Sequence, residues 1–332
     1  MPTQYEDDGN AAVVFVALLV AGLVAIYLYL SQTSSPTATT LHHNLPVAHA
    51  VPVATTTKRR ASSSTFHTIQ DNYSTVAEVQ QALRKAGLES SDLIVGIDFT
   101  ASNKWQGEKS FQNKCLHETT GGCQNPYQQV IAAMGRCLED FDDDHMIPAF
   151  GFGDSRTRDK SIFPLKVEGS CHGFQEVLTH YVLQAKSVEL SGPTNFAPLI
   201  SAASKIAAAQ KAFHILLIIA DGQVTSKRQT IESIVAASEE SPLSIIMVGV
   251  GDGPWETMNE FDDELPTRAF DNFQFVDFNL HYVGTTEEDK VANFCKHCLM
   301  EVPEQFQLIR KLGLLDWMSA DLFIFYYIHS KV

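Results

Sequence analysis

Asp98, Thr100 and Ser102 stand at alternate positions directly after an apolar run, Leu93-Ile-Val-Gly-Ile97. One carboxylate and two hydroxyls at that spacing are hard oxygen donors of the kind that Mg²⁺ and Mn²⁺ take, with Ca²⁺ as a larger alternative. A set like this in isolation is more often a loop Asp with Ser/Thr turn chemistry. Two distant residues shift the balance. Thr194 lies in a tight loop, Ser191-Gly-Pro-Thr-Asn-Phe196, ahead of a helical segment, and Asp221 ends a second apolar run, His214-Ile-Leu-Leu-Ile-Ile-Ala220. Two apolar strands that each end in Asp, with a loop Thr between them in sequence, can bring five oxygen donors to one edge.

The elements needed to position them follow from the hydrophobic pattern. Short β-branched runs near 93–98, 146–152, 214–220, 243–250 and 273–278 are expected to be strands. Helical patterns fall between and after them, near 126–139, 173–186, 197–211, 228–239 and 287–301, with an amphipathic lead-in helix over 74–88. Strands alternating with helices predict an α/β fold, a doubly wound and mostly parallel sheet covered on both faces. In such sheets ligands bind outside the carboxyl ends of the strands, where Asp98 and Asp221 are expected.

The ordered set D-x-T-x-S, then T, then D is the signature of the metal-ion-dependent adhesion site of von Willebrand factor A domains. Further stretches bring the resemblance closer: Gly96-Ile-Asp-Phe-Thr-Ala-Ser-Asn103, Gln124-Asn-Pro-Tyr127, Phe150-Gly-Phe-Gly-Asp154, Leu190-Ser-Gly-Pro-Thr-Asn-Phe-Ala-Pro198 and Val248-Gly-Val-Gly-Asp-Gly253. Over about 73–315 the chain resembles the A domain of copines, which plant RING-type ubiquitin ligases share. The resemblance implies that Asp98, Thr100, Ser102, Thr194 and Asp221 hold a divalent cation. It further implies that an acidic side chain of a partner protein completes the coordination. Asn103 is read as a turn cap, Asp252 as turn chemistry, and Asp154 as a strand-end residue outside the ligand set.

Both attached activities of the resembled families lack their usual carriers here. A membrane segment and tether stand where copines carry C2 domains. A RING's set of Cys/His ligands cannot be assembled from Cys295, Cys298, His281, His297 and His329. No G-x-S-x-G elbow, P-loop, dinucleotide fingerprint or H-E-x-x-H is present, so the expectation is a binding module and not an enzyme. The alternative is a ubiquitin-pathway component acting with a separate catalytic subunit.

A formal net charge of −15 argues against a nucleic-acid binder, which needs a basic face. The six cysteines are scattered through a large domain and favour a reducing compartment, and Cys295-Lys-His-Cys298 is read as structural. Residues 1–10 form an acidic tail, and 11–30 carry no charge over a length, about 30 Å as a helix, that suits a transmembrane span. Residues 31–70 are Ser/Thr/Pro/Ala-rich and are expected to be a disordered tether. The A domain is then placed at 71–315, with an apolar tail over 316–332. The expected placement is a single-pass membrane protein with a cytosolic A domain, Lys58-Arg-Arg60 lying on the domain side of the span.

Overall fold

A computed structural model describes residues 75–315, apart from short breaks at 89–90, 139–140, 142–143, 223 and 264. These residues belong to the second of two compact units, Ser63–Val332.

The lead-in helix α1 (Val76–Ala86) starts on a capping box between Thr75 and Glu78 and stops at Gly87, whose φ of 85° is left-handed. A cap of that kind is worth about 1 kcal/mol. Val79 and Leu83, one turn apart, are buried. Then follow β1 (Asp92–Asp98), a 3₁₀ turn over Ala101–Lys104, α2 (Pro126–Leu138), β2 (Met146–Ile147), β3 (Ala149–Phe152), β4 (Ile162–Pro164) and β5 (Cys171–His172). Next come α3 (Gly173–Ser187), α4 (Ala197–Gln210), β6 (His214–Ala220), α5 (Lys227–Glu240), β7 (Leu243–Gly249), α6 (Glu256–Asp263) and β8 (Phe273–Asp277). α7 (Phe278–His281), α8 (Glu287–Leu299) and α9 (Val302–Leu312) close the described chain.

Six strands form one sheet in the order β4-β3-β1-β6-β7-β8. All pairings are parallel except that of β4 with β3. β2 and β5 form a separate antiparallel pair. The expected doubly wound, mostly parallel sheet is therefore observed. From β1 the chain winds outward to β3 on one side and to β6, β7 and β8 on the other. The reversal at β1/β6 opens a crevice at the carboxyl ends of those strands.

The apolar runs fill both faces. Val95 and Ile97 pack with Leu217 and Ile219 in one core cluster, whereas Ile94 packs with Leu216 and Ile218 in the other. Burial on both faces explains why these strands read as continuous hydrophobic runs instead of alternating ones. Gly96 lets α4 seat on the sheet, since a Cβ there would lie 2.1 Å from Leu199 Cδ2.

Several expectations are corrected or lie outside the described residues. The transmembrane helix is corrected: among the described residues no helix is long and apolar enough to cross a membrane, and residues 11–30 lie outside them. The fold class is accordingly an α/β sheet domain stated without a membrane span, and the single-pass placement with a cytosolic domain falls with it. The tail at 1–10, the tether at 31–70 and the apolar tail at 316–332 also lie outside the described residues. The cysteines differ as well. Cys137 of α2 and Cys295 of α8 form a disulfide, while Cys298, the second member of the CxxC pair, is buried and free.

Candidate metal site

β1 ends at Asp98 and β6 ends one residue before Asp221. The register pairs Ile97 with Ile219, so the two carboxylates leave neighbouring strands at almost the same level. Both are fully buried. After Asp98 the chain turns sharply. Thr100 N–H donates to Asp98 Oδ1 at 2.8 Å, and the hydroxyls of Thr100 and Ser102 are 3.0 Å apart. Gly153 (φ 83°) permits the turn, because a Cβ there would lie 2.3 Å from Thr100 Cγ2.

The Thr194 loop is stitched to both strand ends. Thr100 and Ser191 form an isolated parallel bridge, and Ala101 N–H donates to Ser191 O at 2.6 Å. On the other side Thr194 O accepts from Thr225 N–H at 3.0 Å and Ser226 N–H at 3.2 Å, both just after Asp221. The structure thus brings together the segments carrying Asp98, Thr100, Ser102, Thr194 and Asp221, and each of the five side chains is buried.

Electrostatically the arrangement is costly by itself. Burial, and then the charge of Asp221, push the Asp98 carboxyl well above the usual carboxylate range, against the pull of its bonds from the Thr100 hydroxyl and amide and from the Asp221 backbone. Asp98 Oδ2 is buried with no hydrogen-bond partner. A buried carboxylate with an unused oxygen beside a second carboxylate is relieved by a cation, the largest charge such a site can hold. The donor set fits a hard ion: two carboxylates and three hydroxyls, all oxygen. Among the described residues no cluster of three or more His, Cys, Asp or Glu side chains offers a competing metal site.

Around these five lie further residues, and His117 is one that the sequence did not single out. His117 is buried, with Nε2 2.8 Å from the Asp98 carbonyl oxygen and Nδ1 2.9 Å from Tyr181 Oη. Burial holds its imidazole down to about 3, hence neutral. The ring stacks on Phe99 at 4.9 Å and on Tyr127 at 4.2 Å. Tyr127 O–H donates to Asn103 Oδ1 at 2.7 Å, and Asn103 Nδ2 donates to Thr100 O at 3.2 Å. Asn103 therefore caps the turn as expected and is also held from α2. Asp154 is bonded to the Thr157 N–H and hydroxyl, and Asp252 accepts from Lys109 and Ser110 N–H, both at 2.8 Å. These are turn roles, as read from sequence. His117 carried no sequence signal, because it sits in an irregular loop with no period and no motif.

The copine family description matches residues 115–317. The chain belongs to the copine family. Among curated relatives it is 44% identical over 300 residues to the E3 ubiquitin-protein ligase RGLG4 of Arabidopsis thaliana, covering 86% of this chain and 74% of that protein. It is 50% identical over 240 residues to Copine family protein 1 of Caenorhabditis elegans, covering 72% of this chain and 22% of that one. With RGLG1 of A. thaliana the identity is 46% over 279 residues, covering 80% of this chain and 57% of the relative. This copine-family chain therefore spans roughly a fifth to three quarters of the length of these relatives. The solved structure of a manganese-loaded Plasmodium vivax TRAP protein aligns at 15% identity and a TM-score of 0.41, covering 58% of this chain and 70% of that one. That likeness is too distant to carry an argument about ligands.

Proposed function

We propose that this copine-family domain is a protein-interaction module that binds its partner through a divalent cation, Mg²⁺ or Mn²⁺. Asp98, Thr100, Ser102, Thr194 and Asp221 would hold the ion, and an acidic side chain of the partner would complete its coordination. The observation that carries this reading is the buried Asp98 Oδ2, without a hydrogen-bond partner, at a strand end that neighbours that of the equally buried Asp221. Bound there, the ion supplies a positive centre for an incoming carboxylate. The chain's own residues do the rest. Thr100 N–H orients the Asp98 carboxylate, and the Ser191 and Thr194 backbone bonds hold the third hydroxyl in place. The net charge of −15 opposes an acidic partner at a distance, but beyond about 8 Å at physiological salt that field is screened.

The test is thermal melting and calorimetry of the full chain titrated with Mg²⁺ and Mn²⁺, beside Asp98→Ala and Asp221→Ala. Saturable stabilisation present in the wild type and lost in both variants is expected. Identical melting in millimolar metal and in chelator would sink the reading.

A second reading rests on the relatives named as ubiquitin ligases, with 44% identity across 86% of this chain. In it the domain selects substrates for a catalytic subunit that it recruits. Co-purification with a ubiquitin-conjugating enzyme supports this reading, and failure of any such association counts against it.

A further inference from the structure

We propose that His117 is a positioning residue of the candidate metal site, fixed as the Nε2–H tautomer by a one-way hydrogen-bond chain running from the α2 N-terminus to the Asp98 backbone. The proposal rests on the metal reading above and adds to it a residue outside the ligand set, together with its protonation at a stated atom.

The direction of the chain is set at both ends by backbone groups that can play one role only. At the start, Gln128 N–H donates to Asn125 Oδ1 at 2.9 Å. The Gln128 side chain returns the favour by accepting from Asn125 N–H at 2.9 Å. That reciprocal cap fixes the amide of Asn125 with its oxygen toward α2. Its nitrogen then faces Tyr181, donating to Oη at 3.0 Å, and it also reaches Glu118 O at 3.2 Å. Oδ1 also lies 3.2 Å from the same hydroxyl and has a second lone pair, but a Tyr181 proton directed there would leave His117 Nδ1 without a donor once Nε2 carries the imidazole proton. Tyr181 O–H is left to donate to His117 Nδ1, 2.9 Å away. At the far end the Asp98 carbonyl can only accept, so His117 Nε2 must carry the proton. In the run from Asn125 through Tyr181 and His117 to the Asp98 carbonyl, every donor finds an acceptor, and the buried groups are satisfied without a charge.

The consequence falls on the ligand residues. Asp98 is the last residue of β1, where the backbone must leave the sheet and aim its carboxylate at the crevice. His117 holds its carbonyl from below. Through the stacked Tyr127 and Asn103, the same aromatic cluster holds Thr100. Groups that orient ligands in this way typically change metal affinity by roughly 10–100-fold when removed.

Two-bond ¹H–¹⁵N correlation spectra of the ¹⁵N-labelled full chain, with the His117 signals assigned by their loss in His117→Gln, read the tautomer directly. Mn²⁺ calorimetry on the wild type, His117→Phe and His117→Gln reads the consequence. Phe keeps the stack and removes the donor, whereas the Gln side-chain amide can still donate to the Asp98 carbonyl. The expected result is an Nε2–H tautomer, at least tenfold weaker Mn²⁺ binding in His117→Phe, and recovery of most of that loss in His117→Gln. An Nδ1–H tautomer overturns the proposal even if His117→Phe fails to fold. Unchanged affinity in a folded His117→Phe beside normal wild-type binding overturns it alone. Absence of any metal response in the wild type removes the metal reading and this proposal together, with the Nε2–H tautomer still visible.

Discussion

Gly153 touches the site through Thr100: a Cβ on Gly153 would lie 2.3 Å from Thr100 Cγ2 and 3.4 Å from Asp98 Oδ1. The strand end of β3 is thus packed directly against the turn at 98–102, and the Gly153 φ of 83° is one that L side chains rarely adopt. Gly153→Ala is therefore expected to act twice. The backbone strain should cost about 1–3 kcal/mol of stability. The new methyl should also push Thr100 away from Ser102 and weaken Mg²⁺ binding. Melting in chelator reads the first effect and the Mg²⁺-dependent rise reads the second. A variant that loses stability but keeps the full metal response would show that Thr100 is not a ligand.

Asp98→Asn separates the charge of the site from its shape. Asn keeps an oxygen to accept Thr100 N–H but removes a buried negative charge facing Asp221. Because burial and Asp221 disfavour the ionised form of Asp98, the neutral variant should be more stable than the wild type in chelator at pH 7, by about 1–3 kcal/mol. In saturating Mg²⁺ the order should reverse, since only the wild type gains the ion. Measuring both melts gives a crossing that a purely structural Asp98 cannot produce. Equal destabilisation in both conditions would argue for a hydrogen-bonding role alone.

Much of the candidate site's placement was legible in the sequence because its two carboxylates terminate strands. Asp98 and Asp221 each close a β-branched run buried on both faces, and such a run can only be a central strand. Thr194 stood out by its tight loop between the two Asp-ending strands, and the family likeness supplied its role, since a single Thr in a Gly-Pro loop carries no spacing of its own. The positioning residues were not legible. His117 lies in the irregular stretch between the 3₁₀ turn and α2, and its partner Tyr181 is 64 positions away, itself bonded to Asn125 at a separation of 56. The edge strand β4, three residues with its ends exposed or half-exposed, was too short to show a period. The apolar 11–30 stretch was read from composition alone, and no described helix bears it out.

His117 also predicts a pH dependence. Its imidazole titrates at about 3 when folded and near 6.5 in an unfolded chain. Between those values the unfolded state binds the extra proton, so stability rises with pH through that window and is lost as pH falls through it. The slope from this one group is at most about 1.4 kcal/mol per pH unit. Comparing wild type with His117→Gln isolates it from the carboxylates. The stability difference between the two should shift against the wild type from pH 6.5 downward and stay flat above pH 7. A difference that does not change with pH would mean the ring takes up its proton as readily in the folded as in the unfolded state.

The disulfide gives the last test, and it concerns what holds the site's supporting helix. Cys137 lies in the last turn of α2, whose first turn carries Tyr127 and follows the Asn125 cap, and Cys295 lies on α8 at a sequence separation of 158. A cross-link closing so long a loop removes much of the freedom of the unfolded chain. Such bonds contribute about 2–4 kcal/mol, although engineered cases often give less. Reduction is therefore expected to lower the melting temperature of the wild type, and Cys137→Ser should melt at that lower temperature with or without reductant. The free, buried Cys298 lies one helical turn beyond Cys295, so Cys298→Ser should leave the reductant response intact. If reductant changes nothing in the wild type, or if mass spectrometry of the unreduced chain finds Cys137 alkylated, the two helices are held by packing alone. The support for Tyr127 and Asn125 would then come from the aromatic stack under Asp98 and not from the covalent link.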